Sequence, residues 1–199
     1  MLKKEANKIT GGLSAPGKMP EGAYNIPATA CQTGQLLAKV KDTPCSGCYA
    51  LKNRYRMPIQ KAAMERRLKS LTHPRWVEAM TVLVKGKKHF RWHDSGDIQS
   101  VKHLINIFEV CKNTPGTMHW LPTREARFLK QVASKIIPTN LIIRLSGHMI
   151  DGKNATWWPW TSSVSTQGKT CPAKDQGNQC RSCRACWNRS VSNVTYPKH

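Results

Sequence analysis

Carboxylates are the scarce ingredient of this sequence. Only 11 Asp and Glu stand against 32 Lys and Arg in 199 residues, a formal charge of +21 with the histidines neutral. Internal ion pairs can offset about a third of the cations, which excludes a charge-balanced surface and directs attention to a polyanionic partner, nucleic acid first. A generally basic, solvated surface is the plainer alternative. Long hydrophobic runs are also missing. No stretch approaches the roughly 20 apolar residues of a membrane span, and none follows the charged start Met1-Leu2-Lys3-Lys4-Glu5-Ala6-Asn7. A soluble, unexported, cytoplasmic protein without a membrane partner is expected.

The cations are densest from Leu51 to Arg91, where only Glu65 and Glu78 oppose them. Lys52, Arg54, Arg56, Arg66, Arg67, Lys87 and Lys88 are therefore the candidate nucleic-acid contacts. The length and a 39% hydrophobic content that includes seven Trp allow one sizeable core and no second ordinary domain. Residues 1–30, rich in Gly, Pro, Ala and Lys and without sustained period, read as an extended N-terminal arm. Residues 31–166 read as an α/β core and 167–199 as a cysteine-rich tail.

Within the core the periodicity alternates. Met64, Leu68 and Leu71 share one helical face and Trp76, Met80, Leu83 and Val84 another, with Pro74 between. His89 to His93 reads as a short strand, followed by the loop Asp94-Ser95-Gly96-Asp97 and a helix striped by Val101, Leu104, Ile105, Phe108 and Cys111. The unit repeats as strand Met118 to Leu121, loop Pro122 to Glu125, and a helix marked by Leu129, Val132, Ala133 and Ile136. A third strand, Leu141 to Leu145, is apolar enough for burial on both faces and runs into Ser146-Gly147-His148. Trp157, Trp158 and Trp160 lead toward a last strand at Thr161 to Ser165. These Trp either stack bases or fill the core. His93 and His119 read as pointing away from Trp92 and Trp120, toward a barrel interior or into ordinary structural contacts.

Seven of the eight cysteines fall into two sets. Cys180, Cys183 and Cys186 follow one another at three-residue steps, with Cys171 upstream as a fourth ligand. Such a run wraps the corners of a [4Fe–4S] cubane more readily than it makes two zinc knuckles, with zinc as the alternative. The tight arrays suit one shared metal better than disulfides to distant partners. Cys31, Cys45 and Cys48 supply three ligands without a local fourth. Either one coordination position stays open, as at catalytic metals, or His73, His93, Cys111 or a tail cysteine closes a structural zinc site.

The segment Cys45-Ser46-Gly47-Cys48-Tyr49-Ala50, with Asn53 and Arg54 after it, resembles the C-x-G-C-Y-A segment of the phage gene product 88 family. The stretch Gly177 to Trp187 resembles the cysteine-rich tail of such proteins and of radical SAM-like phage proteins. The resemblance covers about Pro27 to Arg54, the strand–loop elements between, and Cys171 to Trp187. It implies a truncated partial (β/α) barrel with one or two [4Fe–4S] clusters, a radical SAM-like enzyme in the host cytoplasm acting on nucleic acid. Cys31, Cys45 and Cys48 would hold the cluster that binds S-adenosylmethionine, and the tail an auxiliary one. The spacing departs from the usual C-x3-C-x2-C, and Gly47 rather than an aromatic residue precedes Cys48. The alternative is a metal-stapled protein, iron–sulfur or zinc, that binds nucleic acid or a host protein.

In parallel α/β folds ligands gather beyond the carboxyl ends of strands. The candidate cofactor residues are accordingly Asp94, Ser95, Gly96 and Asp97, then Thr123, Arg124 and Glu125, then Arg144 and Ser146. Asp94 and Asp97 would receive the cofactor amino group on the resemblance, while Asp97 could instead cap the next helix. Arg124 and Arg144 suit a carboxylate or phosphate, or an ordinary salt bridge.

Overall fold

The computed structural model describes residues 1–198. Six strands form one open sheet in the order β1-β2-β3-β4-β5-β6, with every neighbouring pair parallel. They are β1 (Ala23–Tyr24), β2 (His89–Trp92), β3 (Met118–Thr123), β4 (Leu141–Ile150), β5 (Thr161–Ser165) and β6 (Asn193–Pro197). A strictly sequential parallel order is that of a partial β/α fold whose ends do not meet.

Register sorts the side chains onto two faces. Tyr24, Phe90, Trp92, Leu121 and Ile143 face the helices and share a core with Trp76 and Met80 of α4 (Trp76–Val84) and Leu104 and Phe108 of α5 (Val101–Lys112). Ala23 and Trp120 project to the other face, where they meet Cys171, Ala173, Cys186, Trp187 and Val194. The tail between β5 and β6 thus crosses the sheet on the side opposite the helices, so its crossover has the opposite hand to theirs. Such reversals are rare in parallel sheets. Side-chain clasps described below hold this one.

Local rules explain the helix boundaries. Pro58 opens α3 (Pro58–Ser70) at a position that has no helical partner for an N–H. The Ser100 hydroxyl caps α5 by accepting from the His103 N–H at 3.0 Å.

Several sequence expectations change. The first thirty residues are not an extended arm alone: they form α1 (Lys3–Thr10), closed by Gly11 in the left-handed region, and then β1. The helix escapes a periodicity test because it buries only Ala6 and Thr10. The helix expected through Ile136 shortens to α6 (Ala126–Leu129) and a separate 3-10 turn at Ser134–Ile136. Leu129, Val132 and Ile137 still reach the core from these short turns. Ser146-Gly147-His148 is not a loop, because β4 continues through it with a register break before Ile150. The Ser146 and Ser162 hydroxyls meet at 3.0 Å across the ladder, so polar residues here serve pairing. β6 was not anticipated; its composition is polar and it buries only Val194.

Candidate metal and cofactor rim

β1, β2 and β3 end at one edge, and their following loops are laced together. The Ile26 N–H donates to Ser95 O at 3.1 Å, and the Gln99 side chain donates to Ala30 O at 3.2 Å. Gly96 makes the close approach possible: its φ is +80°, and a Cβ there would lie 2.2 Å from Ile26 Cγ1. Asp97 ties the second loop to the third. Its carboxylate accepts from the Thr123 hydroxyl at 2.6 Å and from the Arg124 N–H at 2.8 Å. Burial raises the Asp97 carboxyl to about 6, with Glu125 adding to the rise and these hydrogen bonds opposing it. The fully buried Glu125 accepts from both the N–H and the hydroxyl of Thr33 at 2.8 Å. A carboxylate thus sits at the start of α2 (Gln32–Leu37), the helix that Cys31 caps, where it also meets the positive end of the peptide dipoles.

This lacing brings Cys31, Cys45 and Cys48 to the same rim. A Cβ on Gly34 would stand 3.6 Å from Cys31 Sγ, 3.8 Å from Cys45 Sγ and 2.9 Å from Cys31 Cβ, so the glycine keeps the space between two thiols open. Helix-interior glycine costs about 1 kcal/mol relative to alanine, a loss that this cradle explains. Thr43 shapes the loop through its hydroxyl, which donates toward Leu37 O at 2.7 Å and accepts the Ser46 N–H at 3.1 Å. The Cys48 N–H then turns back to Cys45 O at 3.2 Å. Burial pushes the Cys31 thiol far up, and the negative charges of Asp97, the other two cysteines and Glu125 add to it. Burial also raises Cys45, while the Arg124 guanidinium opposes that rise.

Asp94 belongs to the rim but is already spent. Its carboxylate accepts from Ser14 at 2.8 Å, Asn25 at 3.2 Å and Tyr55 at 2.9 Å, and its carbonyl from the Tyr49 hydroxyl. Ser95 Oγ is buried without a partner among the described residues. Arg144 does not reach the rim, because it projects from mid-strand onto the tail side, fully buried. Ser146 shares that face, paired with Ser162.

The charged candidates divide. Lys52, Arg54 and Arg56 are exposed beside the rim loops. Arg66 is exposed on α3, but Arg67 is buried and donates to Gly12 O at 2.8 Å, to Leu13 O at 3.0 Å and to the Asn25 side chain, so it clasps the N-terminal segment rather than a phosphate. Lys87 and Lys88 precede β2 and lie at the opposite edge of the sheet.

The histidines also sit otherwise than expected. His119 stacks on Trp92 with ring centroids 6.0 Å apart and bonds the Thr114 hydroxyl at 2.9 Å, on the helix side rather than in a barrel interior. The register sets Phe90 opposite His119, which puts His119 on the face of Trp92. His93, in the left-handed region, packs on His103 at 5.2 Å, and burial holds it well below its ordinary range. Only Trp157 of its aromatic group is exposed; Trp158 is buried and donates to Ile143 O at 2.8 Å, and Trp160 donates to Arg189 O at 2.9 Å.

The tail cysteines form the second set. Cys171, Cys180, Cys183 and Cys186 line one pocket with Pro172, Ala173, Ala185, Trp187 and Val194. All eight cysteines are free. Among the described residues, no three Cys, His, Asp or Glu side chains stand in the geometry of a metal site. The donor chemistry of each set nevertheless suits a thiophilic centre, since the rim offers sulfur beside a kept space and the tail pocket offers sulfur without a competing oxygen ligand.

Fold and rim together define an α/β protein with a sequential parallel sheet and a thiol-rich carboxyl edge. The family model for gene product 88 matches residues 1–189, and the chain belongs to that family. No curated protein and no solved structure matches the chain. Among the described residues no helix is long and apolar enough to cross a membrane.

Proposed function

We propose that this protein is a radical SAM-like iron–sulfur protein that acts on nucleic acid from the carboxyl rim of its sheet. The observation carrying the reading is the convergence of Cys31, Cys45 and Cys48 with Asp97, Arg124 and Glu125 on that rim. Three sulfurs around a four-iron cluster leave one iron for S-adenosylmethionine, and the bound cluster would supply the electron that cleaves it. The chain's own residues perform the rest. Glu125 and Thr33 set the position of Cys31 at the helix start, and Gly34 keeps the space beside it. Arg124, held through its backbone by Asp97, stands as a cation for a carboxylate. Because burial favours the protonated thiols, loading must release protons and weakens as pH falls.

The exposed Lys52, Arg54 and Arg56 favour a second reading, a metal-stapled protein that binds nucleic acid without turnover. Anaerobic iron and sulfide analysis of wild type and of a Cys31/Cys45/Cys48 triple alanine variant separates the two, followed by an assay for reductive cleavage of S-adenosylmethionine. Rim iron with sulfide, lost in the variant, and release of 5′-deoxyadenosine support the enzyme. Zinc without sulfide, or iron without cleavage in the presence of nucleic acid, refutes it.

A further inference from the structure

The inner face of the sheet carries a charge problem that the rim does not solve. Arg144 is fully buried, and its guanidinium bonds only backbone carbonyls, those of Cys186 at 3.1 Å, Ala185 at 2.8 Å, Val191 at 2.9 Å and Asn188 at 3.1 Å, with Thr161 and Ser192 slightly farther. None of these is an anion, and among the described residues Arg144 makes no salt bridge. Arg91 lies on the same face, 4.4 Å above the Trp120 ring, with its Nε buried and unpartnered and Met19 Sδ at 3.3 Å. Burial opposes the Arg91 cation, but Tyr49 and then Asp94 on the rim side, with Tyr196 and Cys186 toward the tail, favour it and raise its proton affinity on balance. Arg144 is the uncompensated one of the two: burial lowers its proton affinity, and a buried guanidinium without a counter-anion costs several kcal/mol.

The tail pocket lies against both. Its four cysteines are pinned from four directions: the Cys171 N–H donates to Thr195 O at 3.0 Å, the Cys180 N–H to Lys18 O at 2.8 Å, the Cys183 N–H to Cys180 O at 2.9 Å, and Cys186 O is held by Arg144. Backbone anchoring at every cysteine limits the space the sulfurs can search. The remaining lining is apolar, so sulfur is the only ligand on offer. The Tyr196 hydroxyl stands 3.3 Å from Cys186 Sγ, where it can donate to a thiolate.

We infer that Cys171, Cys180, Cys183 and Cys186 form a closed four-thiolate metal site whose net negative charge faces the fully buried Arg144 and, beside it, the half-buried Arg91. Four thiolates around one Zn²⁺ or one oxidised four-iron cluster carry a net charge of about −2, which would give Arg144 the counter-anion it lacks and add to the charge that Arg91 already shares with Asp94. The site closes with all four ligands from protein, so it binds no substrate. Its role is to staple the reversed crossover between β5 and β6 onto the sheet. This is independent of the rim proposal.

The test uses the full chain with Cys31, Cys45 and Cys48 replaced by alanine, so that rim failure cannot be mistaken for tail failure. Reduced, metal-free protein is titrated with cobalt(II), whose absorption reports tetrahedral coordination and thiolate number. One equivalent bound with the signature of four thiolates is expected, as is its loss in Cys183→Ser. Tyr196→Phe removes one hydroxyl and leaves the fold; it should bind about tenfold more weakly, the usual scale for a group that orients a ligand. A parallel anaerobic reconstitution with iron and sulfide decides whether the natural centre is zinc or a cluster. No cobalt binding, fewer than four thiolates, or unchanged affinity in Tyr196→Phe overturns the inference.

Discussion

Replacing Arg144 by Met keeps a long apolar stem and deletes the clasp that holds the tail. Four of its hydrogen bonds, to the carbonyls of Ala185, Val191, Cys186 and Asn188, lie between 2.8 and 3.1 Å. At about 1 kcal/mol per well-made bond they contribute about 4 kcal/mol, and the carbonyls of Cys186 and Val191 would be left without a donor, whereas those of Ala185 and Asn188 keep the N–H groups of Asn188 and Val191. Removing the guanidinium also relieves its own desolvation, the main influence that lowers its proton affinity here. The net loss expected in metal-free protein is therefore about 3 kcal/mol, at the low end for breaking a buried charged network. Urea unfolding followed by circular dichroism should show a lower midpoint, with early loss of amide-exchange protection in residues 185–192. A change under about 1 kcal/mol, or exchange unchanged in that segment, would refute the claim that this one side chain docks the reversed crossover.

Gly96→Ala puts a Cβ 2.8 Å from Ile26 O and 2.2 Å from its Cγ1 at a φ of +80°, and should cost at least about 2 kcal/mol, read as a fall in Tm of about 4 °C or more. Glu125→Gln exchanges one acceptor of the Thr33 pair for a donor; a loss of about 1–2 kcal/mol should accompany faster reaction of Cys31 with a thiol reagent, and equal rates would show that Glu125 does not position it. Asp97 has a folded pKa of about 6 against about 4 unfolded, so the folded state holds the extra proton between them. Its contribution is fully present below about pH 4 and is lost as pH rises through 6, by about 3 kcal/mol. Relative to Asp97→Asn, wild type should therefore lose stability across that window in urea titrations, and parallel curves would contradict it. Reversing Lys52, Arg54 and Arg56 to Glu should weaken and flatten the salt dependence of nucleic-acid binding, whereas the same change at Lys87 and Lys88, at the far edge, should leave rim binding nearly unchanged in fluorescence anisotropy.

Composition and period carried a large part of the architecture. Alternating strand and helix patterns locate β2, α5, β3 and β4 because each buries large apolar side chains at its own spacing. Elements that bury little large apolar surface left no such trace: α1 hides Ala6 and Thr10, and β6 only Val194. Two of the rim's strand ends, those of β2 and β3, were legible, since chain direction and parallel order place following loops on one edge, whereas the third expected loop, Ser146-Gly147-His148, continues β4 and β1 takes its place at the rim. The partners of the residues within it were not. Asp94 and Asp97 look alike in sequence, yet one is consumed by Ser14, Asn25 and Tyr55 while the other binds Thr123 and Arg124.

The sequence by itself determined the α/β class, the cationic excess and the two cysteine sets, because these follow from counts and short spacings. Only the tertiary structure decided what each charge faces. Arg67 and Arg144 are indistinguishable in sequence from surface cations, and both are buried clasps whose acceptors lie 17 to 55 residues away. It also decided that the tail crosses the sheet opposite the helices. That choice rests on Trp120, Trp187 and the carbonyls gathered around one guanidinium, contacts between distant segments that no local pattern encodes.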